Sequence, residues 1–395
     1  MKKKVLAVLL GSAMIAASFI GCGSSETATT TTDDATATET TDAGDTASAE
    51  SLSFSTDVKL GVEVYDTTDE QFLQMKAYFD YLESSIDNLS FVYSESLADA
   101  DAELNFIDSC ASSGCNGIIG YYNIAEDAAI DECIAQGMYY WGTESCYDSF
   151  ADNDMYVGCY TFPSEDGVNG DYLGGYYMAL GLADAGVQHV FYCSGGLSMN
   201  IPMFVDRNAG FEAGIAEAQA NGSTIQYDPS TDRVDGWPDA DGFAQNIATI
   251  LDGDYDGAAA SFNAAALFQP IATAGKDSSM KVATIGEVSD TYTFAVESGE
   301  IAVVVYDCEE VVFGNAVVEL ANAICGSRLT NDDGTAFKVP VNRWVVSDAD
   351  TYNTILDYHN GGNYYVTASD VVSLVGASAA DVESFYYGFT ADSVQ

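Results

Sequence analysis

Beyond residue 57 the chain alternates between two kinds of segment. Short apolar runs, such as 59–65 (KLGVEVY), 117–122 (GIIGYY) and 281–285 (KVATI), have the length of strands buried on both faces. Between them lie longer stretches with apolar residues at helical spacing. In 69–86, Phe72, Met75, Phe79 and Leu82 recur every three or four residues, and in 100–113 Leu104, Ile107 and Ala111 do the same. The pattern predicts strands over 59–65, 90–94, 117–122, 138–142 and 155–162, with helices over 69–86, 100–113 and 126–136.

The pattern then restarts. Helices are predicted over 171–185, 209–220, 242–251 and 265–274, with strands over 189–193, 224–227, 257–262 and 281–285. A strand at 301–306, a helix at 310–325 and segments around 339–346 come last, where the chain crosses back. Apolar strands alternating with helices make βαβ units, hence a parallel sheet covered on both faces. Two successive sets make two lobes. The fold class is therefore α/β, with two Rossmann-like lobes of parallel sheet, a multi-strand hinge and a ligand cleft between them. The expected boundaries are 57–163 plus about 308–342 for the N-terminal lobe, and 164–307 plus about 343–395 for the C-terminal lobe. The stretch after Asp348 is longer than such a core needs, and its apolar residues suit segments strapped over a lobe or the hinge.

The first residues carry an address. Lys2, Lys3 and Lys4 precede an apolar run from 5 to 20, short for a membrane span of about 20 residues, and small residues lead into Cys22. This is the pattern of a secretory signal peptide over 1–21. It resembles a bacterial lipobox, which implies lipidation of Cys22 and an anchor on the outer face of the cytoplasmic membrane; Phe19 stands where that motif usually has leucine. Residues 23–50 contain no aromatic or large aliphatic side chain, so the linker over 22–56 is expected to be disordered. As a flexible coil it spans roughly 30 Å.

Charge narrows the partners. Sixty-one acidic residues face 12 basic ones, a formal net charge of −49. Such a surface repels nucleic acid and large polyanions. The chain has nine cysteines but only two histidines, His189 and His359, and no C-x-x-C, so a Cys/His metal site is not expected. In an exported chain Cys110 with Cys115, or Cys133 with Cys146, are candidate disulfides; buried small hydrophobes are the alternative. No nucleophile elbow, phosphate-binding loop or dinucleotide fingerprint follows a strand. No enzymatic activity and no cofactor are expected.

Several landmarks, in order, resemble the type I periplasmic binding proteins of the ribose and galactose kind. They are the opening KLGVEVYDTTDEQF, then CNGIIGYY, then Arg207 to Phe211 (RNAGF, similar to an Arg-x-x-Gly-Phe motif), then KVATIGEV followed by ESGEIAVVVYD. The likeness covers roughly 59–348. It implies a receptor that closes by a hinge around a mono- or small oligosaccharide for an ABC transporter permease, working as a monomer. A nucleoside or furanose-signal receptor, or a sensor subunit for a membrane kinase or chemoreceptor, are the alternatives within the fold.

The resemblance also implies site residues. Arg207 stands at the ligand-arginine position, where its rigid fork of donors suits paired sugar oxygens. Trp237, in the DGWPD loop, is a candidate face for a sugar ring. Glu144 and Glu287 follow strands at positions where the family has aspartate, one methylene shorter. Asn263 fits the family's amide or acid contact. Phe72, Asp66 and Asp307 are further candidates. Phe72 also lies in register with the apolar face of its helix, which makes core packing the other reading.

Overall fold

The computed structural model describes residues 51–143, 146–162, 169–238 and 240–393. The expected signal peptide, Cys22, the linker up to residue 50 and Glu144 lie outside the described residues. Two six-stranded sheets organise the rest. The first holds β1 (Val58–Val64), β2 (Leu89–Ser96), β3 (Gly117–Gly120), β4 (Tyr139–Gly142), β5 (Tyr156–Thr161) and, late in the chain, β11 (Phe337–Pro340). Their order is β11-β5-β4-β3-β1-β2, parallel throughout. The second holds β6 (Val190–Cys193), β7 (Arg233–Val234), β8 (Gly257–Ala260), β9 (Lys281–Ile285), β10 (Ile301–Tyr306) and β12 (Trp344–Val346). Its order is β12-β10-β9-β8-β6-β7, and only β12 runs antiparallel.

The strands are apolar because helices cover both faces. Val62, Val64, Ile118 and Ile119 in one sheet, and Val282, Val303 and Val305 in the other, are buried. In the first lobe α1 (Glu70–Ser85) starts at Asp69, whose carboxylate accepts from the Phe72 amide at 3.2 Å. It is followed by α2 (Ala100–Ser112) and α3 (Asp127–Gln136). The second lobe carries α4 (Gly170–Asp184), α5 (Pro202–Ala220), α6 (Phe243–Ile250), α7 (Ala265–Thr273) and α8 (Thr293–Glu297). After β10 the chain returns to the first lobe as α9 (Glu309–Ile324), a helix buried over nearly its whole length. Up to β12 the chain crosses between the lobes three times, between β5 and α4, at Asp307 and Cys308, and at 341–343, and the tail crosses once more.

Three expectations are corrected. No strand forms over 224–227, where Gln226 makes only an isolated bridge to His189. The carboxylate of Asp232 accepts from the Asp228 amide at 2.8 Å and folds this stretch into a turn, so the edge strand is β7 instead. The helix expected from 209 begins at Pro202, because a proline at the first helical position has no amide to leave unpaired. The disulfide joins Cys146 to Cys159, and Cys110, Cys115 and Cys133 are free. Sequence spacing does not reveal that Cys159, on β5, lies beside the loop leaving β4.

The tail also departs from its expected place in the C-terminal lobe. It begins there as α10 (Ala349–Asn360), packed on α8 and tied by the Tyr352 hydroxyl to the backbone of Ser289. It then crosses to the first lobe, where α11 (Ala368–Ser373) packs on α9 and α1, and α12 (Ala379–Tyr387) lies along β11. No helix among the described residues is long and apolar enough to cross a membrane.

Candidate functional site

In open parallel sheets, loops at the carboxyl ends of the strands form the binding surface. Here two such surfaces face each other, and their side chains meet. Asn263, just past β8, donates its amide to Glu70 of the first lobe and to Glu287 of its own lobe, both at 3.3 Å. Thr291 donates to the other Glu70 oxygen at 2.9 Å, and the Gln74 amide reaches the Val288 carbonyl at 3.3 Å. The Asn263 carbonyl accepts from the Ala265 amide at 3.0 Å and from the Tyr292 hydroxyl, which fixes the orientation of the amide.

The first-lobe side of this patch comes from the start of α1 and the end of β3. The Tyr121 hydroxyl lies 3.2 Å from both Asp69 and Gln71, and Gln71 is a neighbour of Glu309, the first residue of α9. Burial pushes the Glu287 carboxyl up to about 8, with Asp69 and Glu70 adding like-charge repulsion. Glu309 is raised well above the usual carboxylate range, first by burial and then by Glu287.

A second patch lies at the hinge. Arg207, in the second turn of α5, donates from Nε to Asp171 at 2.7 Å and from a terminal nitrogen to the Ser261 carbonyl at 2.7 Å. Arg343, from the third crossing, holds Asp307 through two contacts of 2.9 and 3.1 Å and stacks over the Phe162 ring at 4.3 Å. Burial raises the Asp307 carboxyl, against the pull of Arg343 and Arg207.

Glycine brings Arg207 to its place. A Cβ on Gly175 would strike the Arg207 carbonyl, and one on Gly210 would strike the Tyr172 carbonyl, so only glycine lets α4 and α5 run backbone to backbone. Phe211 anchors the helix from below, stacked on Tyr192 at 4.3 Å. The RNAGF motif therefore combines a side chain bonded to Asp171 and Ser261, a close approach and a core anchor on one helix.

The expected residues divide. Asn263 and Glu287 come together in the acidic patch, and Arg207 and Asp307 in the hinge patch. Trp237 is half-buried in the loop after β7, beside the bridge between Gly236 and Gly195. Asp66 closes its own turn, accepting from the amide and hydroxyl of Thr68 at 2.8 Å, and those bonds hold its carboxyl below the usual range. Phe72 is corrected: it is buried in the core, edge-on to Tyr93, because its helical register turns it away from the strand ends. Sequence reasoning missed Asp69, Glu70, Tyr121, Asp171, Glu309 and Arg343. The signals were present, since Asp69 caps a helix and Asp307-Cys308-Glu309 follows a strand end. A hollow of about 280 Å³ lined by Lys281, Val296, Ile301 and Tyr352 lies at the opposite, amino end of the second sheet, away from both patches.

The arrangement is that of the type I periplasmic binding fold, and solved structures agree. The substrate-binding protein of a sugar ABC transport system from Bordetella parapertussis superposes with a TM-score of 0.59 at 15% identity, covering 76% of this chain and 93% of that one. An ABC transporter solute-binding protein from Bacillus halodurans with bound myo-inositol gives 0.58 at 14%, over 78% and 98%. One from Actinobacillus succinogenes with bound D-allose gives 0.58 at 14%, over 75% and 99%. The Escherichia coli transcriptional repressor ascG shares the fold at 0.54 and 14%, over 74% and 98%. No family model and no curated protein matches the sequence.

Proposed function

We propose that this chain is an extracytoplasmic receptor that captures a mono- or small oligosaccharide and presents it to an ABC uptake transporter. The observation that carries the reading is the meeting of polar side chains from both lobes at the strand ends, with Asn263 bridging Glu70 and Glu287 next to a three-crossing hinge. Groups aligned this way satisfy a polyol on all sides when the lobes close. The sugar-transport proteins of the same fold support the reading. A transcriptional repressor shares the fold, and a net charge of −49 disfavours a nucleic-acid partner here. The lipobox-like Phe19 to Cys22 supports a lipid anchor, and the receptor acts by binding rather than by catalysis.

A thermal-shift screen with monosaccharides, disaccharides and nucleosides tests this. A ligand at about 100 times its Kd adds roughly 2.7 kcal/mol, a readily seen shift. A nucleoside that shifts the transition where no sugar does would replace the sugar reading. For the anchor, Cys22→Ala is expected to release the protein from membranes with its ligand affinity intact; membrane association that persists in the variant removes the anchor.

A further inference from the structure

The acidic patch contains more carboxylates than a neutral sugar requires. Glu70 and Glu287, from opposite lobes, converge on the single amide nitrogen of Asn263. Asp69 faces the same space through Tyr121 and Gln71. Glu309 is 2% exposed, its strongest charged neighbour is Glu287, and its Oε2 has no hydrogen-bond partner. Among the described residues, none of these four carboxylates takes part in an ion pair, whereas Arg207 and Arg343 of the hinge patch are each held by their own aspartate. Helix capping accounts for Asp69. It does not account for Glu287, which is on no helix, or for the unpaired oxygen of Glu309.

Buried carboxylates without a counter-charge are costly. Two remedies exist: each takes up a proton, or a cation is placed among them. A metal ion is the poorer cation, because no three ligating side chains among the described residues are grouped to hold one. An ammonium group is larger, carries three donors and needs only acceptors spread around it. The amide of Asn263 already marks a place where one nitrogen bonds acceptors from both lobes.

We propose that this patch is a subsite for the ammonium group of the ligand, so that the sugar captured is an amino sugar. The inference rests on the sugar-receptor reading above. The amine takes its place among Glu70, Glu287 and Glu309, and its charge offsets the repulsion that closure imposes on carboxylates of opposite lobes. Because burial and the neighbouring acids push the Glu287 carboxyl up to about 8, binding an amine displaces its proton to solvent.

Isothermal titration calorimetry of the full chain with D-galactosamine and D-glucosamine, against D-galactose and D-glucose, tests the subsite. The amine is expected to bind about ten- to a hundredfold tighter than its neutral parent, the worth of charged hydrogen bonds. Its heat is expected to differ between phosphate and Tris buffers as the proton is released. Glu309→Gln and Glu287→Gln are each expected to abolish the preference and to leave the ligand-free melting temperature undiminished. Neutral sugars binding as tightly as amino sugars would overturn the subsite and keep the sugar receptor. A preference that survives both variants would overturn it as well. Binding of putrescine but of no sugar would keep the cation subsite and overturn the sugar reading, and failure of every probe to bind would count against both.

Discussion

Burial next to other acids has moved the Glu287 carboxyl from an ordinary 4.5 to about 8. Between those values the folded chain holds a proton that the unfolded chain has lost. The contribution of this group to stability is therefore whole below pH 4.5 and is lost as pH rises through about 8. The melting temperature of the ligand-free protein is expected to fall across that window, and Glu287→Gln to flatten the fall. The difference between the two proteins amounts to at most about 1.4 kcal/mol per pH unit. Parallel curves for the two proteins would show that Glu287 is solvated. Arg207 is tied to the structure at two points: Nε is committed to Asp171, whose side chain is 13% exposed, and a terminal nitrogen to the Ser261 carbonyl. Arg207→Ala is expected to weaken ligand binding about ten- to a hundredfold and also to cost about 1–3 kcal/mol without ligand, because Asp171 loses its partner. Calorimetry of binding and urea unfolding of the free protein read the two effects separately.

At the scale of elements, the pair α4 and α5 depends on glycine more than on apolar surface. In an isolated helix, Gly210→Ala would be favourable by about 1 kcal/mol. Here the new methyl meets the Tyr172 carbonyl, so the variant is expected to lose about 1–3 kcal/mol in urea unfolding, as overpacked sites do. A gain in stability would mean that the helices stand further apart. The tail is the second feature of this scale. His359 lies 2.8 Å from Glu310 in the first turn of α9, and Asn342 at the third crossing donates to the carbonyls of Tyr387 and Phe389. The tail thus contacts both lobes and one hinge strand, and any closure has to carry it along.

The whole molecule is two sheets whose carboxyl ends meet, with three chain crossings as the axis. Closure about such an axis is a rigid-body motion of lobes with intact cores. Small-angle scattering of the full chain with a ligand from the screen is expected to give a smaller radius of gyration than without it. An unchanged radius with tight binding would mean that the ligand enters a cleft already closed.

Local pattern was enough for the two α/β sets, the order of strands along the chain and the return at 301–306, because strand and helix periods are written in neighbouring residues. The family resemblance pointed to Asn263, Glu287 and Asp307, which follow strand ends, and to Arg207 in α5; the structure puts the first two in one patch and the last two in the other. Phe72 shows the limit: a residue in helical register with a core cannot also face a cleft, and only packing decides which it does. The same holds for the tail, whose contacts join residues far apart in sequence, and for the Cys146–Cys159 bridge, which needs β5 laid beside β4; the turn at Asp232 is local, but its side-chain bond to the backbone competes with the strand that the apolar pattern suggested. The acidic patch belongs wholly to tertiary structure. Glu70, Glu287 and Glu309 are unremarkable among 61 acids until two lobes bring them together, and burial then raises the carboxyls of Glu287 and Glu309.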